Sequence, residues 1–145
     1  MVQAQARNAL TPSRPHVENM TKKIVDNKRL PRPFAQYSNA VEAGGFLFTT
    51  GHVGLDPKTG KLAKGIEAQT RATLDTIEIL LKAAGMTLED VVSVNVYLTN
   101  YSDLWKMDAI YKEYFPKDPP ARTCVHASTL KGMLIEINAT ACRDR

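Results

Sequence analysis

The sequence predicts an α+β protein, a single mixed β-sheet with two helices packed on one of its faces. Three observations lead there. Residues 91–98 alternate apolar and polar side chains with the period of a half-buried strand. Two stretches, 67–84 and 102–115, instead repeat apolar residues every three or four positions, as helices do. Short apolar runs bounded by Gly and Pro precede the first helix and follow the second, so the order is strands, helix, strand, helix, strands.

A first short strand is centred on Ile24 and Val25, within residues 22–26. Pro31 and Pro33 forbid a ladder or helix interior after it, so 30–34 is an extended connector. Residues 37–41 read as the next strand, Gly44 and Gly45 as a turn, and residues 46–51 as its hairpin partner. The run Asp56-Pro57-Lys58-Thr59-Gly60 is turn-rich and lacks the glycine frame of a phosphate loop. On the first helix Leu74, Ile77, Leu81 and Ala84 form the apolar stripe, with Leu80 beside them. Glu67 suits its positive end and Gly85 stops it. On the following strand Val92, Val94, Val96 and Leu98 share one face. Ser102 and Asp103 start the second helix, Leu104, Met107, Tyr111 and Tyr114 line its stripe, and Pro116, Pro119 and Pro120 end it. On the last strand Ile135, Ile137, Ala139 and Ala141 face one way, and Glu136, Asn138 and Thr140 the other.

The 145 residues fit one domain, with 43% hydrophobic and 23% charged residues. Residues 1–20 read as an N-terminal extension of flexible tail, with a cleaved presequence as the other reading, and 21–145 as the folded domain. Of the net charge of +4, residues 1–33 hold seven Lys/Arg against two Asp/Glu, and the remainder twelve against thirteen. The folded body therefore lacks the basic face that a nucleic-acid partner needs. No apolar run approaches the ~18 residues of a membrane span. Two cysteines, Cys124 and Cys142, are too few for a disulfide scaffold. They read as buried free thiols in a reducing compartment, the cytoplasm being the expectation.

The residues that could carry chemistry sit near the end. Arg122 stands at the mouth of a short apolar strand, and Glu136 on the next one. A hairpin through Lys131-Gly132 would bring the two together, either as a structural ion pair or as a carboxylate clamp beside a proton carrier. Cys124, two residues past Arg122, reads as a thiol lining that site; no sequence signal places a histidine to activate it. His52 reads as a hydrogen-bonded wall residue and His126 as packing. The set His52, His126, Cys124 and Cys142 matches no zinc-ligand spacing. Trp105, Tyr111 and Tyr114 read as core or interface.

The motif Pro120-Ala121-Arg122-Thr123, followed by Ile135-Glu136-Ile137, resembles the C-terminal signature of the RidA/YjgF family of enamine/imine deaminases. Gln36-Tyr37-Ser38-Asn39-Ala40, Thr49-Thr50-Gly51-His52, Leu55-Asp56-Pro57-Lys58-Thr59-Gly60, Glu67-Ala68-Gln69-Thr70 and Glu89-Asp90-Val91-Val92 fall in the family's order and spacing over residues 21–142. The resemblance implies a chorismate-mutase-like fold, a homotrimer with sites between subunits, and hydrolysis of reactive enamine/imine carboxylates to a keto acid and ammonia without metal or organic cofactor. It implies that Arg122 binds the substrate carboxylate, that Glu136 orders or activates water, and that Tyr37 stands near the pocket.

Several positions depart from the family pattern. Ala35-Gln36 replaces Gly-Pro, and Thr50-Gly51-His52-Val53-Gly54 replaces Ser-Gly-Gln-(Ile/Leu)-Pro, with Gly54 expected to loosen the wall. Asp108 stands where an asparagine is common, and Thr129-Leu130-Lys131 replaces a Leu-Pro segment. Thr50, His52, Asp108 and Cys124 are thus expected to join Arg122 in binding substrate. The alternatives are a deaminase specialised for 2-aminomuconate in aromatic-amine catabolism and a non-catalytic binder of small carboxylates. A ribonuclease activity, ascribed to some relatives, is disfavoured by the charge of the folded body.

Overall fold

The computed structural model describes residues 21–143; the N-terminal extension expected over 1–20 lies outside them. Seven strands form one sheet: β1 (Lys23–Val25), β2 (Ala40–Ala43), β3 (Phe46–Thr49), β4 (His52–Val53), β5 (Val91–Leu98), β6 (Ala121–His126) and β7 (Ile135–Cys142). Helix α1 (Ile66–Ala83) follows β4, and α2 (Leu104–Tyr114) joins β5 to β6. The sheet order is β1-β2-β3-β7-β5-β6, with β4 also paired to β7. All pairings are antiparallel except β5 with β6. The mixed sheet and the two helices agree with the fold class read from the sequence.

The strand order corrects one expectation. β6 and β7 do not form a hairpin; β5 lies between them. Residues 91–126 are a strand, a crossover helix and a parallel strand, and parallel neighbours need such a long connection. The 127–134 segment then passes over the end of β5. Ala127 N–H donates to Leu98 O (2.9 Å), and Thr99 N–H donates to Leu134 O (3.1 Å).

One face of the sheet holds the core. Ile135, Ile137, Ala139 and Ala141 of β7 and Val94, Val96 and Leu98 of β5 are buried there with Leu74, Ile77, Leu80 and Leu81 of α1 and Met107 and Tyr111 of α2. The expected facing of β5 fails at its start. The register slips between Val91 and Ser93, so Val91 turns inward and Val92 lies exposed. Tyr37 and Ser38 precede β2 instead of joining it. At the start of α2, Asn100 accepts from Ser102 N–H (3.0 Å) in a 3-10 turn, while the Asp103 side chain makes no capping bond. Trp105 projects into solvent, 76% exposed. His126 is exposed as well, its Nε2 3.0 Å from Thr99 O, and is not packed as expected.

Buried polar groups on α1 tie the helix down. Thr70, Thr73 and Thr76 each donate to the carbonyl four residues earlier, so none is left unpaired. Gln69, 2% exposed, makes three bonds: Nε2 donates to Ala63 O (3.0 Å) and Gly132 O (2.9 Å), and Oε1 accepts from Leu134 N–H (2.8 Å). It clips the loops before α1 and before β7 to one helix. Gly54 sits against this same residue; a Cβ there would lie 2.4 Å from Gln69 Cβ. Gly54 therefore does not loosen the wall, as the sequence suggested. It permits β4 to press on α1.

Replacing Gln69 with Leu leaves two carbonyls and an N–H unpaired in a partly buried place, and should lower unfolding free energy by roughly 1–3 kcal/mol. Urea titration of the native and variant chains checks this. A loss below about 0.5 kcal/mol, the range of a neutral surface change, contradicts the role given to this side chain.

Candidate active site

β3 and β4 are one strand broken by a bulge. Phe48 pairs with Thr140 and His52 with Ile137, four steps on one side against three on the other. The hydroxyl of Thr49 fills the broken ladder by accepting from Ala139 N–H at 2.9 Å. The extra residue brings the backbone at Gly51 against the side chain of Glu136. A Cβ at Gly51 would lie 1.9 Å from Glu136 Oε1, so only glycine admits the carboxylate at this spot.

Around that carboxylate lies a cavity of about 280 Å³, lined by Tyr37, Thr50, Gly51, His52 and Glu136, with apolar walls from Leu30, Val53, Leu55 and Met133. Tyr37 is 40% exposed and meets Phe34 edge to face, the ring centres 5.7 Å apart. The Glu136 carboxylate forms no hydrogen bond or ion pair with the described residues. His52 Nε2 lies 3.3 Å from Asn39 O. A carbonyl only accepts, so Nε2 carries the hydrogen and Nδ1 is the free acceptor. Burial pulls the imidazole pKa down to about 4, against a smaller upward pull from the Asn39 carbonyl, so the ring is neutral near pH 7. Asn39 is fixed in turn by donating to Asp26 Oδ1 (2.9 Å) and Pro31 O (3.3 Å).

Arg122 is elsewhere. In register it lies beside Val94, which pairs with Ala139, whereas Glu136 pairs with Tyr97. Two strand spacings, roughly 9–10 Å, and three residues along the strand, about 10 Å, separate them in one chain. They also occupy opposite faces, since Val94 is buried under the helices and Glu136 alternates with the buried Ile135 and Ile137. Arg122 Nη1 donates to Asp108 Oδ1 of α2 at 2.8 Å, and its guanidinium lies 4.6 Å from the Tyr111 ring centre. That hydrogen bond holds the Asp108 carboxyl below the usual carboxylate range. Lys112 Nζ stands 3.4 Å from Asp108 Oδ2. Cys124 is half-buried on the same strand face, and burial pushes its thiol pKa up, which leaves it a poor nucleophile. Tyr111 OH is buried without a hydrogen-bond partner among the described residues, and burial pushes its pKa up to about 12.

The expected site residues thus fall into two groups. Tyr37, Thr50, His52 and Glu136 line one cavity; Arg122, Cys124 and Asp108 form a second cluster under α2. Sequence reasoning missed Asn39, Gly51, Met133 and Tyr111. Asn39 and Gly51 lie inside motifs already singled out, and that was the available signal. Met133 enters through the loop clipped by Gln69, and Tyr111 was read as core, which it is. No group of three or more His, Cys, Asp or Glu side chains among the described residues is placed to hold a metal ion.

Comparison with known proteins places the chain. The family model for endoribonuclease L-PSP matches residues 27–143. A RutC family protein of Pyrococcus horikoshii is 45% identical over 125 residues, covering 85% of this chain and 99% of that protein. TdcF of Escherichia coli, a reactive intermediate deaminase by name, is 30% identical over 127 residues, 85% of this chain and 98% of its own. Its crystal structure with bound serine superposes with a TM-score of 0.80 at 28% identity, covering 84% of this chain and 99% of that one. The structure of RidA from an Antarctic Psychrobacter gives a TM-score of 0.79 at 30% identity, over 83% and 99% of the two chains. With a fold, a motif order and a family match that agree over nearly all the described residues, this chain belongs to the RidA/YjgF family, the family of the endoribonuclease L-PSP model.

Proposed function

We propose that the protein is a reactive-intermediate deaminase that hydrolyses enamine/imine carboxylates to a keto acid and ammonia, at sites shared between subunits of a homotrimer. The observation that carries this reading is the separation of Arg122 from the cavity of Glu136 and Tyr37. A carboxylate clamp and a water-handling group can serve one small substrate only if they come from different chains. Two surfaces support such an assembly. β6 is an edge strand, paired with β5 on one side and unpaired on the other among the described residues. The sheet face away from the helices carries the stacked pair Phe46 and Phe48, 40% and 47% exposed, and Val125. The deaminase name of TdcF, and the serine bound in its crystal structure, support a site for small amino-acid-derived carboxylates.

In this reading Arg122 grips the substrate carboxylate with two parallel N–H donors. The enamine tautomerises to the imine, and Glu136 of the neighbouring chain holds a water against the imine carbon. The water oxygen forms a bond to that carbon as a proton passes to Glu136. The proton moves on to the nitrogen to give a carbinolamine; Glu136 then passes the hydroxyl proton to that nitrogen, the C–N bond breaks as the C=O bond forms, and ammonia leaves the keto acid behind. Gly51 gives the carboxylate room to stand at the cavity wall. Neutral His52 adds no positive charge there, which leaves the carboxylate grip to Arg122. An RNA substrate, suggested by the family model's name, is disfavoured because residues 34–145 hold twelve Lys/Arg against thirteen Asp/Glu.

Ammonia release from 2-aminoacrylate generated in situ, with 2-aminomuconate alongside, tests the reaction. Arg122→Ala should lower kcat/KM about ten- to a hundredfold, and Glu136→Gln should lower kcat by roughly 10²-fold or more. No ammonia above these variants from either substrate would overturn the deaminase reading.

His52 gives a prediction in pH. Its folded pKa of about 4 lies below the ordinary 6.5, so the unfolded chain binds the proton more tightly. The stabilising contribution is therefore complete above pH 6.5 and drains away as pH falls toward 4. Between pH 7 and 4.5 the native chain should lose roughly 2–3 kcal/mol more stability than His52→Gln. Parallel pH profiles from urea unfolding would contradict the buried neutral ring.

A further inference from the structure

We propose that Asp108 is a positioning and charge-selecting residue for Arg122, and that it restricts the site to substrates with one carboxylate and an uncharged remainder. The inference rests on the reading of Arg122 as the carboxylate clamp.

The geometry has two consequences. Asp108 Oδ1 takes a hydrogen of Arg122 Nη1 at 2.8 Å while the guanidinium lies against the Tyr111 ring. The guanidinium is thereby held in one plane and one orientation, and the edge formed by Nε and Nη2 is left for an incoming carboxylate. The second consequence is charge. Asp108 is only 14% exposed, so its negative charge lies where solvent screens it weakly. Arg122 is already balanced by it. Lys112, the other cation at Asp108, is 75% exposed and held at 3.4 Å. One substrate carboxylate can still gain the two free donors of Arg122. A second carboxylate has no unclaimed cation in this cluster. The cavity of Glu136 offers little more, since Leu30, Val53, Leu55 and Met133 are apolar, His52 is neutral, and Arg32 at the rim is exposed. A neutral asparagine at position 108 would keep the shape and the hydrogen bond but would remove the charge that repels a second anion. The arrangement weighs against 2-aminomuconate, a dicarboxylate, and toward imines of ordinary monocarboxylic amino acids.

Binding of two stable keto acids tests this without requiring turnover. Isothermal calorimetry on the native chain should give 2-oxobutyrate an affinity at least about tenfold above that of 2-oxoglutarate. Asp108→Asn should shrink that ratio about fivefold or more, chiefly by tightening 2-oxoglutarate. Asp108→Ser carries the same expectation, so a folding defect in one variant leaves the other to decide, with melting temperatures as the check. With in situ monocarboxylate imine, Asp108→Asn should move KM more than kcat. A ratio unchanged within about twofold in a folded variant, or no binding of either keto acid to the native chain, overturns the proposal. Selective binding abolished by Asp108→Asn but without ammonia release upholds charge selection and rejects the deaminase reading instead.

Discussion

The parallel pairing of β5 with β6 governs the rest of the molecule. Because α2 must carry the chain from the end of one strand to the start of the next, β6 is placed at the outer edge and β7 returns on the inner side of β5. Arg122 therefore stands at the margin of the sheet, under α2, with Asp108 and Tyr111 for company. Glu136 stands on the opposite face beside Gly51. One connection decides that the two groups best suited to handle a small carboxylate cannot meet within a chain.

A second constraint shapes the cavity. The bulge between β3 and β4 gives one strand an extra residue, and the slack is taken up by the Thr49 hydroxyl and the approach of Gly51 to Glu136. Gln69 then fixes the opposite wall, holding the segment that delivers Met133 against α1. The contact to Thr49 is buried and those of Gln69 are partly buried. A glycine with no room for a Cβ recurs at positions 51 and 54, where chain meets side chain. The cavity is built of close approaches, and its shape is set by them more than by the bulk of its apolar walls.

Much of this was legible in the sequence, for reasons that differ by element. The stripe on α1 and the alternation of β7 follow from periodicity, which a one-sided sheet imposes directly. Val92 misled because a bulge adds a residue without any mark in the composition. The hairpin expected between Arg122 and Glu136 failed because spacing along a chain carries no information on which strand lies between. The strand–helix–strand run over 91–126 is the feature that goes with a parallel neighbour, and it was not used for that. Tyr37, Thr50, His52 and Glu136, singled out through their motif order, line one cavity, whereas Arg122, Cys124 and Asp108, expected at the same site, do not. Gly54 was misread since a glycine that loosens and a glycine that allows close packing look the same in sequence. Asp108 was recognised as a departure, but its partner, Arg122, emerged only with the fold.

The central claim is that one site takes Arg122 from one chain and Glu136 from another. The direct test is mixing. Arg122→Ala and Glu136→Gln chains, each strongly impaired alone, are unfolded together, refolded as one population, and assayed for ammonia release. If sites are shared between chains, some sites combine the intact Arg122 of one variant with the intact Glu136 of the other. Activity should return to about a quarter of the native value at equal mixing. Activity that stays at the level of the separate variants, in a population shown to have exchanged subunits, would contradict the shared site.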